Sequence, residues 1–471
     1  MTGTVPYDRV DLDLAGPPLR FHLIGIGGAG MSAIALVLAA LGHQVSGSDR
    51  GDSAAMVRLR DAGIDAHVGH DARLVVGPGG PLVDIVGVST AITADNPEIV
   101  AARAAGIAVA HRYDLLSGIG ATRRTLAVSG THGKTTTSAI CALALDSAGL
   151  NPSFIIGGVV AGFGSGSRWT DSEWFVLEAD ESDSTFLAPP RAGAIITNIE
   201  ADHLDHHGSF ADLVTAFERF ADGTDGPVVV CSDDIAGAQL AARTPGALTY
   251  GLDGGAVFAI SGIEAAPTGM GWTVTGPDGV AHRLQVALPG LHLVRNATAA
   301  FVLATALGAD PSGVAAGIAR YAGVGRRFER RGTARGITFI DDYAHMPTEV
   351  RAVLNAAGSG EWGRVVVVFQ PHRYSRTQAV WRDYAEAFDG ADVVVVTDVY
   401  AAGEQPVAGV SGQLIVDAIA VARPGQRVVY LPTRADLIEG VAGLLQEGDL
   451  CLTLGAGDLT SLPDQLIEAL S

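Results

Sequence analysis

A chain of 471 residues is too long for one ordinary hydrophobic core, so two to four domains are expected. With 48% hydrophobic and 17% charged residues it has globular composition, which excludes a disordered chain. Its net charge of −20 argues against a nucleic-acid or membrane-surface partner, and any anionic ligand must find a local cationic site.

The N-terminus, "MTGTVPYDRVDLDLAG", lacks a basic start followed by an apolar stretch, so no signal peptide is expected. The strand-like "RFHLIGI" runs into a glycine-rich turn with Gly25, Gly27, Gly28 and Gly30, then into an apolar helical stretch. That stretch, Met31 to Leu41, has the length of a buried helix and falls short of the ~18 residues that span a bilayer. Asp49 closes the next strand, about where an acid binding a ribose would fall. Taken alone, the turn is compatible with NAD or with another phosphorylated ligand.

"VDIVGVS" and "GIAVA" continue the strand–helix alternation. A loop near Gly120 then precedes "RTLAVSGTHGKTTTSAICALALDSAG". Strand, glycine-bounded loop, Lys-Thr and helix make a phosphate cradle. Gly130 and Gly133 let backbone N–H groups approach an anion, Lys134 can reach a terminal phosphate, and Thr135 can ligate Mg²⁺. The spacing is that of a shortened P-loop, "GxxGKTT". Lys134 is the only lysine; the other 30 of the 31 basic residues are arginines. A lysine kept at one position points to a role for a compact point charge on a slim stem, which a planar guanidinium cannot fill.

"WFVLEADESD" ends a strand with Glu178, Asp180, Glu181 and Asp183, and "ITNIEADH" follows the next with Glu200, Asp202 and His203. Carboxylates at strand ends beside a P-loop can hold Mg²⁺ directly or through water. Glu178 and His203, one per strand end, are the candidate metal ligands; the rest read as loop acids and caps. From about Gly251 to Pro289 the rhythm changes to Gly-rich alternation, as in antiparallel hairpins. After "YAGVG" the parallel pattern returns in "ITFIDDY", "RVVVVFQ", "DVVVVTD", "RVVYLP" and "LCLTLG". The three cysteines, Cys141, Cys231 and Cys451, form no metal or disulfide pattern, as expected of a reducing cytosol.

The motifs "GIGGAGM", "GTHGKTTT", "EADESD", "TNIEADH", "GVGRRFE", "DDYAHMPTE", "FQPHRYSRT" and "TLGAGD" occur in this order. Together they resemble the Mur ligases of bacterial peptidoglycan synthesis, from about His22 to Asp458. "GIGGAGM" with "FQPHRYSRT" points to the alanine-adding branch. The resemblance implies an α/β protein of three domains: a Rossmann-like domain binding the UDP-substrate over 1–120, a central P-loop ATPase with a small antiparallel part over 121–325, and a Rossmann-like closing domain over 326–471. It implies an ATP- and Mg²⁺-dependent ligase that joins L-alanine to the carboxylate of UDP-N-acetylmuramate through an acyl phosphate. Such a protein would be cytoplasmic, a monomer or homodimer, with neither nucleic acid nor membrane as partner. Alternatives are a ligase attaching a preformed peptide to the same nucleotide, an NAD-dependent oxidoreductase built on the N-terminal turn, and a non-catalytic nucleotide-binding regulator.

Residue by residue, the resemblance assigns Gly130, Thr131, His132, Gly133, Lys134, Thr135 and Thr136 to the ATP phosphates. Asn296 lies near the adenine, and Arg327 contacts the nucleotide phosphates. Thr135 and Glu178 hold one Mg²⁺ and His203 helps hold a second; Lys134, His203 and Arg327 form the catalytic group. Tyr343 and His345 lie near the alanine, and His372, Arg373 and Arg376 bind the muramate and its phosphates. Gly27, Gly28, Ala29 and Gly30 approach the uridine diphosphate. Two positions depart from the family pattern: Met346 stands where a histidine is usual, and Leu293 where an asparagine is usual.

Overall fold

The apolar runs legible in the sequence become strands, because β-branched residues buried on both faces favour the extended backbone of a parallel sheet. The computed structural model describes residues 9–266, 269–358 and 360–471. The chain divides into two compact units. One holds the residues up to Gly262, Trp272–Gln285 and Arg295–Tyr321; the other holds Ile263–Gly271, Val286–Val294 and Ala322–Ser471.

The first unit begins with β1 (Arg20–Ile24), β2 (Gln44–Asp49), β3 (Asp65–Val68), a small hairpin of β4 (Val76–Gly77) and β5 (Gly80–Pro81), β6 (Ile85–Val88) and β7 (Ala108–His111). The main sheet runs β3-β2-β1-β6-β7, with every neighbouring pair parallel. Strand order reverses between β1 and β6, and ligands of such sheets bind past the carboxyl ends of the strands at that reversal. The glycine turn leaves β1 at this point and enters helix Ala29–Ala40, whose Met31, Ile34, Val37 and Leu38 are buried.

The same unit continues with β8 (Arg124–Ser129), β9 (Ser153–Val160), β10 (Ser165–Arg168), β11 (Trp174–Glu178), β12 (Gly193–Ile196), β13 (Val228–Cys231) and β14 (Leu248–Gly251). Next in chain order are β15 (Phe258–Ala266), β16 (Gly269–Thr275) and β17 (Ala281–Val286), parts of which are counted with the second unit. The order is β10-β9-β11-β8-β12-β13-β14-β15-β16-β17. Pairs from β9 to β15 are parallel, and β10 caps one edge antiparallel. β16 and β17 are joined by a turn closed by Gly276 N–H to Val280 O, and so short a connection permits only antiparallel pairing.

β8 is flanked by β11 and β12, with Glu178 opposite Val128 and Ile196 opposite Ser129. The three loops leaving these strands therefore converge at one end. Helix Lys134–Ser147 packs beneath them, buried at every position from Thr135 to Leu145. Its small and apolar residues allow enclosure on all sides.

The second unit holds β18 (Glu329–Ala334), β19 (Ile337–Asp342), β20 (Val365–Phe369), β21 (Val393–Val396), β22 (Arg427–Tyr430) and β23 (Leu450–Leu454), in the order β18-β19-β23-β20-β21-β22. Only β18–β19 is antiparallel. Asp342 and Phe369 both lie opposite Leu454, so "DDYAHMPTE", "FQPHRYSRT" and "TLGAGD" all turn out of the sheet at the same end. Among the described residues no helix is long and apolar enough to cross a membrane.

Candidate active site

The loop Gly130–Gly133 takes a shape that only glycine permits at two points. Gly130 has φ 130° and Gly133 φ 83°. A Cβ on Gly130 would overlap Thr197 Oγ1, and one on Gly133 would lie 2.9 Å from Asn296 Oδ1. The segment after β12 clamps the loop from the other side. Asn198 Oδ1 accepts from His132 N–H at 2.9 Å, Asn198 Nδ2 donates to His132 O at 3.0 Å, and Thr197 Oγ1 donates to the same carbonyl at 2.6 Å. Thr131 N–H donates to Asn198 O, and Glu200 N–H donates to Thr131 Oγ1. With its carbonyls held this way, the loop has a fixed backbone before any phosphate arrives.

Lys134 opens the helix after the loop. Its Nζ donates to Gly130 O at 2.8 Å, Thr131 O at 3.2 Å and Glu181 Oε1 at 2.9 Å. Three donors diverging from one nitrogen meet three acceptors, a geometry that suits an ammonium and not a planar guanidinium. Desolvation works against its charge, but Glu181, Asp180 and Glu178 outweigh it and hold the ammonium well above the usual lysine range. Glu181, almost fully enclosed, is pushed up to about 7 by burial, which Lys134 only partly offsets.

Thr135 Oγ1 donates to Glu178 Oε1 at 2.8 Å, and Gly157 N–H fixes the other carboxylate oxygen at 2.6 Å. Two hard oxygen donors side by side at the mouth of a phosphate loop fit Mg²⁺, which takes few protein ligands and completes its shell with phosphate and water. His203 is placed differently from Glu178. It does not end a strand: β12 stops at Ile196, and His203 follows a loop, in left-handed conformation (φ 54°), as the N-cap of the short helix Leu204–His207. Its Nε2 lies 3.4 Å from Asp202 Oδ2. Burial alone would raise the Asp180 carboxyl, but Lys134, Arg112 and His203 together hold it below its usual value. Asp180 is thus where the positive groups of this region converge.

At the N-terminal turn a cavity of about 320 Å³ is lined by Gly25, Gly28, Ala29, Gly30, His70 and Arg112, among others. Asp49 also lines it, but its Oδ2 accepts from Gly27 N–H at 2.9 Å, so it braces the turn. Gly27 faces that carboxylate: a Cβ there would lie 3.0 Å from Asp49 Oδ2. His70 is held from below by a buried network. Its Nδ1 is 2.8 Å from Ser48 Oγ, which donates to Glu98 Oε2 at 2.6 Å, while Asp71 N–H donates to Glu98 Oε1 at 2.9 Å. A second cavity, about 140 Å³, lies between the turn and the strand-end acids, with Gly30, Arg112, Gly157, Glu178 and Asp180 in its wall.

In the second unit the residues singled out by sequence form one chain of contacts. The Arg326 and Arg327 guanidinium groups each lie 4.9 Å from the Tyr343 ring centroid. Tyr343 meets His345 at 5.4 Å, His345 meets His372 at 5.6 Å, and His372 stacks on Tyr400 at 5.7 Å. Arg376 Nη1 is 3.1 Å from His372 Nδ1, and Tyr384 O–H donates to His345 O. Strained backbone clusters here: Arg326, Phe328 and Arg373 have φ 61°, 49° and 68°. Such conformations persist where surrounding structure over-determines them, commonly at functional sites. Met346 and Leu293 are both buried apolar residues. Asp342, ending β19, accepts from Phe328 N–H and Ala344 N–H at 2.7 Å each and so fixes the arginine turn.

A glycine-rich turn, a phosphate loop with strand-end acids, and an arginine–histidine cluster each lie at strand ends of a mainly parallel sheet, and sequence similarity names the combination. The model of the Mur ligase family catalytic domain matches residues 20–124, that of the Mur ligase middle domain 128–304, and that of the Mur ligase glutamate ligase domain 326–457. The chain belongs to the Mur ligase family. Among Mur ligases it is 44% identical, over 96% of both chains, to the UDP-N-acetylmuramate–L-alanine ligase of Kineococcus radiotolerans. It is 41% identical, over 94% of this chain and 96% of the other, to that of Agrobacterium fabrum. The crystal structure of the UDP-N-acetylmuramate–alanine ligase of Thermotoga maritima covers 96% of this chain and 99% of its own, with a TM-score of 0.81 at 30% identity. A murein peptide ligase from Psychrobacter arcticus follows at 25% identity and TM-score 0.71, over 96% and 98% of the two chains. In this Mur ligase, sequence reasoning passed over Asn198, Arg112, His70 and Glu98. Asn198 lay inside a quoted motif, whereas nothing local distinguishes Arg112, His70 or Glu98.

Proposed function

We infer that the chain is an ATP-dependent ligase that joins L-alanine to the carboxylate of UDP-N-acetylmuramate in peptidoglycan precursor synthesis. The observation that carries this reading is similarity over nearly the whole chain to relatives named for that reaction. The P-loop around Lys134 supports ATP as the energy source. A carboxylate is a poor electrophile. Attack of its oxygen on the γ-phosphorus, with cleavage of the bond to ADP, gives an acyl phosphate. The alanine nitrogen then attacks the carbonyl carbon, phosphate leaves with the bonding pair, and the nitrogen loses its proton to form the amide.

The residues divide this work. The Gly130–Thr136 backbone and Lys134 draw charge off the ATP phosphates, with Arg327 as a further cation. Asn296, abutting Gly133, serves the nucleotide side of the loop. Thr135 and Glu178 would hold Mg²⁺, with His203 towards a second ion, and the bound metal would supply positive charge for the transferring phosphate. Gly27, Gly28, Ala29 and Gly30 take the uridine diphosphate. Gly27 contributes by bracing, since it faces Asp49. Tyr343 and His345 flank the alanine, and His372, Arg373 and Arg376 bind the muramate end. Segments 1–120, 121–325 and 326–471 accordingly serve UDP-substrate, ATP and amino acid. The protein acts in the cytoplasm as a monomer or homodimer.

Likeness to the murein peptide ligase supports a second reading, attachment of a preformed peptide to the same nucleotide. Phosphate release with UDP-N-acetylmuramate, ATP and Mg²⁺, measured for one amine at a time, separates the two. L-Alanine should support turnover; release with a tripeptide but not with alanine overturns the first reading. The oxidoreductase alternative is set aside, because family membership accounts for both glycine loops.

A further inference from the structure

Arg112 stands in the wall of both cavities of the first unit. It opens helix Arg112–Ala121, whose N-cap His111 is secured by a reciprocal bond with Asp114, so its position is set by the fold. Its Nη2 donates to Asp183 Oδ2 at 2.7 Å. Its Nη1 faces the glycine turn: a Cβ added to Gly30 would lie 3.6 Å from it. Its Nε is buried and has no hydrogen-bond partner. A guanidinium has five N–H donors, and a buried donor left unused is costly. This cation is therefore only partly spent on Asp183, and its Nη1 end faces the glycine turn that lines the larger cavity.

Asp183 is joined to the ATP side. Its other oxygen accepts from Thr185 N–H at 3.1 Å, and it closes the turn Glu181–Asp183. Glu181 at the start of that turn holds Lys134. Short, mostly buried links thus run from Gly30 through Arg112 and Asp183 to the lysine of the phosphate loop.

We propose that Arg112 is a positioning residue shared by the two nucleotide sites: it binds an anionic group of the UDP-linked substrate with its unused donors while Nη2 keeps Asp183. This rests on the ligase reading above. Substrate held this way steadies the Glu181–Asp183 turn, and with it Lys134, so filling one site tightens the other. The coupling is reciprocal, because both ligands favour the same arrangement of the turn.

The test is a binding linkage measured by calorimetry without turnover. The affinity of β,γ-imido-ATP is determined with and without saturating UDP-N-acetylmuramate, for the wild type, Arg112→Ala, Arg112→Lys and Asp183→Asn. In the wild type the second ligand should tighten the first by ~5-fold or more, the lower end of ordinary coupling. Arg112→Ala should weaken UDP-N-acetylmuramate by ~10- to 100-fold, as expected for charge-assisted hydrogen bonds, and abolish the linkage to the ATP analogue. Arg112→Lys should restore part of that affinity, which repair of a purely structural defect would not do. Asp183→Asn should keep most UDP-N-acetylmuramate binding but lose the linkage, and it carries the test if Arg112→Ala does not fold. Unchanged UDP-N-acetylmuramate affinity in Arg112→Ala, or full linkage in Asp183→Asn, overturns the proposal. A wild type that does not bind UDP-N-acetylmuramate at all removes the ligase reading itself.

Discussion

Lys134→Arg keeps the charge and changes only its shape. In the wild type one nitrogen serves Gly130 O, Thr131 O and Glu181 at 2.8, 3.2 and 2.9 Å. A guanidinium spreads its donors in a plane and cannot meet three acceptors that converge on a point. The loop cannot move to accommodate it, because Gly130 is packed on Thr197 and His132 is held on both backbone groups by Asn198. Two charge-assisted bonds to carbonyls are lost or bent, at ~1.5–3 kcal/mol each before compensation. In the transition state, misplacing one preorganised cation costs at least ~100-fold, or ~2.7 kcal/mol. The fold should suffer less. The Glu181 side chain is 1% exposed, but its carboxyl is already pushed up to about 7, so it can take a proton when the cation shifts rather than stand as a bare buried charge. A stability loss of ~1–3 kcal/mol is expected rather than the ~3–5 kcal/mol of a broken buried pair. The assay is steady-state kcat and KM for ATP, with a denaturant melt of the same preparation. A variant retaining more than a tenth of wild-type kcat would refute the claim that the only lysine is kept for its shape.

Glu178→Gln and His203→Ala should each raise the Mg²⁺ concentration needed for half-maximal activity by ~10-fold or more, with little change in KM for UDP-N-acetylmuramate. Superimposable Mg²⁺ titrations would return both residues to structural roles. Gly130→Ala should abolish binding of an ATP analogue and destabilise by ~1–3 kcal/mol, because φ 130° and contact with Thr197 both oppose a side chain. Gly42→Ala, at φ 95° in open space, is the control and should leave nucleotide binding intact. Asp342 gives a pH signature: burial pushes its carboxyl from 3.8 to about 6, with Arg327 opposing. A raised folded value means the neutral form is favoured in the fold, so its contribution is full below pH ~4 and lost as pH rises through ~6. Asp342→Asn removes that titration, so relative to wild type its unfolding free energy should improve by ~2–3 kcal/mol between pH 4 and pH 7. A mutant–wild type difference that stays constant across this range would show that Asp342 does not titrate there.

Much of this molecule was legible along the chain because its signals are local. The glycines of "GTHGKTT" need their φ values whatever surrounds them, and the lysine follows them at helix spacing. Valine runs such as Val365–Phe369 declare buried strands on their own. Motif order alone indicated the family, since residues at strand ends mark function whatever their neighbours. Where the carboxyl ends of neighbouring strands would meet was not in any window of sequence. Placing β8 between β11 and β12 puts Glu178 beside Thr135 and Asn198 beside His132, and both meetings depend on strand order. Placing β19, β23 and β20 side by side likewise unites three motifs from distant parts of the chain.

His203 shows the limit of reading by analogy with a neighbouring motif. "TNIEADH" resembles "EADESD" in composition, but β12 ends earlier in its motif than β11 does, and the histidine is carried onto a helix cap instead. At Asp49 the spacing indicates a cavity-lining acid, but not that Gly27 N–H also holds one of its carboxylate oxygens. Arg112 and Glu98 lie furthest from sequence inference. Each is one arginine or glutamate among many; only the packing of the turn after β11 gives Arg112 its partner Asp183, and only that of β2 and the segment after β3 gives Glu98 its partners Ser48 and Asp71. Local geometry is encoded by residue type and spacing over a few positions. The pairing of charges at the site comes from strand order, which brings together residues separated by tens of positions, and so only the folded chain decides it.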